Sequence, residues 1–118
     1  SEPNGDIPLT NWTRNGITFN SCRSYYNSRI YGEVNIPINI IIPSCKYNQV
    51  SFDLSVFNGG TNGYYIIKVH SCQCVYTYKI NGSGDVMFGI TVPNFIDKIE
   101  VLHTTDRVGV DNFRIGNN

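Results

Sequence analysis

The chain is poor in charge and has no long apolar run. Charged residues fill 15% of its 118 positions, with nine Asp and Glu against nine Lys and Arg. That near-neutral balance argues against a nucleic-acid partner, because phosphate-backbone recognition depends on clustered positive charge. A polybasic membrane-surface mode is excluded on the same ground. No apolar stretch approaches the ~20 residues that cross a bilayer, so no membrane insertion is expected. The opening SEPNGD has neither a basic n-region nor an apolar h-region, and a signal peptide is expected to be absent or already removed. No segment sustains a helical period, and neither a repeat nor a low-complexity linker divides the sequence. It reads as one domain over 1–118, long enough to bury a real core.

What is present suits strands and turns: eight Tyr, six Phe and eleven Gly, with many Asn, Ser and Thr. Gln49 to Phe57 alternates Val50, Phe52, Leu54 and Val56 against Ser51, Asp53 and Ser55. The cluster NGGTNG (Asn58 to Gly63) then breaks the pattern with residues that tolerate positive φ, and Tyr64 to Ser71 resumes as a strand. VYTYKI and DVMFGITV, joined by NGSG, read as a hairpin. FIDKIEVLHT and VGVDNFRI read as a last hairpin. The first half is less regular, with candidate strands at Ile17–Phe19, Arg29–Val34 and Ile38–Ile42. About eight or nine short strands with no crossover helices predict an antiparallel sandwich or closed barrel.

The four cysteines, Cys22, Cys45, Cys72 and Cys74, favour disulfides and an oxidising compartment, hence an extracellular or cell-surface location. A bridge between Cys72 and Cys74 strains the single residue between them, so two longer bridges to Cys22 and Cys45 are expected, in an order the sequence leaves open. Zinc is disfavoured because the paired C-x(2–4)-C ligands are missing. The sequons at Asn11 and Asn81 carry little weight in so Asn-rich a chain.

Catalysis finds no foothold. No Gly-x-Ser-x-Gly elbow surrounds any serine, the acids are few, and His70 alternates with Lys68 on a face expected to meet solvent. Neither an enzyme nor a small hydrolase is expected. Sugar recognition needs aromatic faces against C–H patches, with amides, acids and Arg against hydroxyls, and three stretches supply them. One holds Arg23, Tyr25, Tyr26 and Asn27, the second Asn58, Asn62 and Tyr64, and the third His103 and Arg107. Loops rich in Tyr, Ser, Gly and Asn also resemble protein-binding paratopes, so an adhesion or scaffold module for a cell-surface protein is the rival class.

EPNGDIPLTNW (Glu2 to Trp12) resembles the opening of galactose-binding-like jelly rolls and many carbohydrate-binding modules, and VPNFIDKIEVLHTTDRVGVDNFRI (Val92 to Ile115) resembles their end. The usual Phe-Glu after Asn-Gly is Asp6-Ile7 here, and the CxC strand is foreign to the pattern. The resemblance implies a jelly-roll β-sandwich that binds a glycan or glycoconjugate without catalysis. It also implies a possible structural calcium held by Asp111 on the last strand, with Asp6, Asn4 or Glu2 near the start.

RVGVDNFRI (Arg107 to Ile115) contains a fault. Val108 and Val110 share one face of a strand, whereas Phe113 and Ile115 fall on the other. A β-bulge at Asp111-Asn112 resets the parity and turns all four inward, which makes the dipeptide a structural lock held by backbone donors or a cation.

Overall fold

The structure, a computed structural model, describes residues 7–24, 29–59 and 62–117. They form twelve strands: β1 (Ile7–Leu9), β2 (Trp12–Arg14), β3 (Ile17–Asn20), β4 (Cys22–Ser24), β5 (Ile30–Gly32), β6 (Ile38–Ile41), β7 (Gln49–Val56), β8 (Tyr64–Ser71), β9 (Cys74–Asn81), β10 (Val86–Thr91), β11 (Ile96–His103) and β12 (Val108–Gly116). Two six-stranded antiparallel sheets, ordered β1-β4-β5-β12-β7-β10 and β2-β3-β6-β11-β8-β9, pack face to face as a jelly-roll β-sandwich. The three strands beyond the expected number are β1, β2 and β4, each only three residues long.

Two expected hairpins are not hairpins. β9 lies at the edge of one sheet and β10 at the edge of the other, so the NGSG segment arches between sheets. β11 and β12 are likewise split between the sheets. Alternation reports that a segment is a strand with one buried face, but not which sheet accepts it. Consecutive strands do pair at β8–β9, where Ser71 faces Cys74 across a two-residue turn of Cys72 and Gln73. Both turn residues have positive φ, 53° and 69°, the conformation a tight hairpin turn requires.

The inner faces follow from period-two alternation. Val50, Phe52 and Leu54 of β7 meet Tyr65, Ile67 and Val69 of β8 and Ile99 and Val101 of β11 in one continuous core. Through that core runs a chain of rings: Trp12 lies 5.4 Å from Phe19, Phe19 5.7 Å from Phe113, Phe113 5.9 Å from Phe52, and Phe52 5.3 Å from Phe88.

The parity fault is a bulge, as expected. Asp111 faces Asp53 on β7, but the next pair is Arg114 with Ser51, so β12 advances three residues while β7 advances two. Asn112 takes φ 51°, a left-handed conformation that Asn tolerates better than most side chains. Val108 and Val110 before the bulge are buried, and Phe113 and Ile115 after it pack on the same core.

The cysteines correct the disulfide expectation: all four are free thiols. Cys22 faces the core on β4, opposite Gly32, near the end of the sandwich where β12 begins. Cys72 and Cys74 lie at the tip of the β8–β9 hairpin, at the far end and in the other sheet. Cys45 is exposed in the β6–β7 connection. Burial pushes the Cys22 thiol up to about 12, as an anion in an apolar interior demands.

Candidate functional site: a cleft at the bulged end of the last strand

The sequence-selected residues scatter. Tyr25, Tyr26 and Asn27 lie outside the described residues, as does Asp6. Arg23 sits on β4 opposite Tyr31. Asn58, Asn62, Tyr64, His103 and Arg107 do gather, where the β7–β8 and β11–β12 connections meet. There neighbouring residues engage them. Asn58 donates its backbone N–H and its side-chain amide to the Asp106 carboxylate at 3.1 and 3.3 Å. Thr105 donates its hydroxyl to the Asn62 carbonyl. The Tyr64 N–H donates to Thr104 Oγ1 at 3.1 Å, and Lys79 Nζ covers the Tyr64 ring at 3.8 Å. Arg107 lies over the Phe57 ring, with Nε 4.0 Å from Glu33.

His103 corrects the expectation of a ligand-binding hairpin tip, because its side chain is fully buried. Its Nδ1 accepts the Thr105 N–H at 3.2 Å, so Nε2 carries the proton and donates to the Gly82 carbonyl at 3.0 Å. Tyr65, edge-on to His103 at 4.9 Å, donates its hydroxyl to Gly84 at 2.8 Å. The two side chains tether the arch between β9 and β10. Burial, reinforced by the negative charges of Asp85 and Asp106, pushes Tyr65 up to about 12.

A cleft of about 650 Å³ lies at the other end of the sandwich. One wall is the β2–β3 hairpin, whose turn, Asn15-Gly16, has φ of 53° and 79° at its two positions. That is the Asn-Gly preference of a tight two-residue hairpin, and it sets Arg14 opposite Ile17 and Trp12 opposite Phe19. The other wall is β12 from Asp111 to Ile115. Tyr47 closes the cleft from the β6–β7 connection, where its carbonyl accepts the Ile96 N–H at 2.7 Å. Phe19, Ile30 and Val110 form the apolar floor. Trp12 and Tyr47 are half-buried, whereas Arg14, Asn15, Asn112 and Arg114 are exposed around them. Rings at the base and planar amides and guanidinium groups at the rim make a preformed site for a ligand with both C–H faces and hydroxyls.

The bulge builds one wall. Two carboxylates directly opposite each other, Asp53 and Asp111, repel across neighbouring strands, and two donors offset them. Asn112 donates its side-chain amide to Asp53 at 2.7 Å, and Arg29 places Nε 3.6 Å from Asp111 while donating Nη1 to Ser55 at 2.8 Å. Asp111 also accepts the Asn112 N–H at 2.9 Å. Arg29 thus stands beside the carboxylate expected to hold calcium, while Asp6, Asn4 and Glu2, its expected partners, lie outside the described residues. Among the described residues, no three His, Cys, Asp or Glu side chains lie close enough to hold a metal ion.

The sequence reading passed over Arg14, Asn15, Tyr47 and Arg114, and met Asn112 only in the bulge and Trp12 only as a landmark of the resemblance. A usable signal was present in TRNG, an Asn-Gly pair just after the chain's single Trp.

The two stacked sheets define a jelly-roll domain with a cleft at one end. No protein-family model and no curated protein sequence matches the chain. Among solved structures, it is similar to the CBM22-1 xylan-binding domain of Paenibacillus barcinonensis Xyn10C. That similarity has 10% sequence identity and a TM-score of 0.48, covering 96% of this chain and 91% of that chain.

Proposed function

We propose that the domain is a non-catalytic carbohydrate-binding module and that its glycan seats in the cleft between the β2–β3 hairpin and the bulged end of β12. The observation that carries this reading is the composition of the cleft. The only Trp of the chain and Tyr47 offer ring faces to the C–H side of a sugar, while Asn15, Asn112 and Arg114 surround them with hydrogen-bonding groups. Trp12 is already packed on Phe19, so little rotamer freedom is lost on binding. The non-catalytic part of the proposal is supported by the carboxylate content of the cleft. Glycoside hydrolysis takes two carboxyl groups flanking the bond. Among the described residues the lining contains Asp111 as its single acid, engaged by Arg29 and by the Asn112 N–H.

A glycan array probed with the wild-type chain and with Trp12→Ala, its fold verified by circular dichroism, tests the reading. Saturable binding that the substitution abolishes is expected. Folded protein that binds no glycan, or binding that survives Trp12→Ala undiminished, contradicts it.

A further inference from the structure

We infer that the cleft takes an anionic glycan, one whose sugar ring bears a carboxylate or a sulfate. The inference rests on the carbohydrate reading above and narrows its ligand. Nine acids and nine basic residues cancel over the whole chain, but the described residues around the cleft do not cancel. Arg14 and Arg114 line it, and Lys46 Nζ stands 5.3 Å from the centroid of the Tyr47 ring that closes it. The one acid in the lining, Asp111, already faces Arg29 at 3.6 Å. Arg14 makes a contact of its own, so the weight falls on Lys46 and Arg114. Among the described residues neither of these forms an ion pair.

The opposite charge is gathered elsewhere. Asp53 and Asp85 border a separate hollow of about 220 Å³, where β7, β10 and β12 run side by side, and the Arg29–Asp111 pair completes its lining. The bulge thus divides an acidic hollow from a basic cleft, and a charged sugar is attracted to one and repelled by the other. A neutral sugar gives two exposed cations nothing to pair with. A carboxylate or sulfate presents the planar or trigonal oxygens that a guanidinium fork engages two at a time.

Affinity electrophoresis of the whole chain separates the possibilities, with gels containing polygalacturonate, dextran sulfate, neutral dextran or neutral xylan. Retardation by an anionic gel is expected, weaker at 0.5 M salt. The apparent Kd should rise at least tenfold in Arg114→Gln and several-fold in Lys46→Gln, and stay unchanged in Lys68→Gln, which is exposed on β8 and outside the cleft lining. Polygalacturonate against dextran sulfate tells carboxylate from sulfate. Retardation confined to neutral gels and indifferent to Arg114→Gln overturns the anionic ligand and leaves the carbohydrate reading standing. Retardation in an anionic gel that Lys68→Gln weakens as much as Arg114→Gln also overturns it, since overall charge then suffices. Folded protein that no gel retards removes the carbohydrate reading and this inference with it.

Discussion

Asn112 on β12 reaches across to Asp53 on β7 and donates its side-chain amide to the carboxylate at 2.7 Å. The same residue supplies the left-handed backbone of the bulge, at φ 51°. One side chain therefore sets the parity of the last strand and quiets one of two opposed carboxylates.

Asn112→Ala should destabilise the fold by about 2 kcal/mol. It leaves a Cβ in the left-handed conformation without the polar side chain that lets Asn tolerate it, which costs roughly 1 kcal/mol, and deletes a hydrogen bond worth about 1 kcal/mol. Asn112→Gly keeps the backbone comfortable and loses only the bond, so about half that effect is expected. Urea denaturation of the two variants checks the ranking, and equal losses would show that the backbone conformation is not part of the lock.

Thiol reactivity should divide the cysteines three to one. Cys45, Cys72 and Cys74 are exposed and Cys22 is buried. At pH 8 in native buffer a disulfide reagent is expected to modify the first three quickly and Cys22 only on unfolding. Four equally fast thiols, or none, would contradict the structure.

His103→Ala removes a buried ring and both of its hydrogen bonds, and should cost about 2–4 kcal/mol. Glycan affinity of the folded variant should not change, because the cleft lies at the opposite end of the sandwich. Calorimetric melting together with a binding titration separates the two effects, and a variant of normal stability that no longer binds would return His103 to a ligand-binding role.

Stability should decline in alkali. The Cys22 thiol moves from 9.0 to about 12 on folding, and the Tyr65 hydroxyl from 10.0 to about 12. Both groups stay neutral in the folded chain over an interval in which the unfolded chain ionises. Their contribution is complete below pH 9 and is lost as the pH rises toward 12. Melting temperatures taken from pH 8 to 12 should fall across that window, less steeply above pH 10 in Tyr65→Phe. A flat profile would mean that neither group is held neutral by burial.

The fold was legible where alternation was strong. Tyr64–Ser71 matches β8 residue for residue, and the bulge follows from the parity of Val110 and Phe113. Pairing was less legible, since an Asn-Gly turn such as that after Asn81 serves an arch between sheets as well as a hairpin within one. His103 shows how composition misleads. Its polar neighbours suggest a loop, yet it continues the inward series of Ile99 and Val101. The cleft was hidden for the converse reason. The strands around Asn15-Gly16 are three and four residues long, too short for a period to register, and their partners across the cleft lie about a hundred residues later in the chain.

The central claim is that sugar seats against Trp12, and because the chain has one Trp, its fluorescence reports on the cleft alone. Titrating the protein with an oligosaccharide that it binds, while calorimetry on the same samples follows occupancy, tests the claim directly. The emission is predicted to shift and saturate in step with occupancy. Full calorimetric occupancy with unchanged Trp12 emission would contradict the claim and place the ligand elsewhere on the domain.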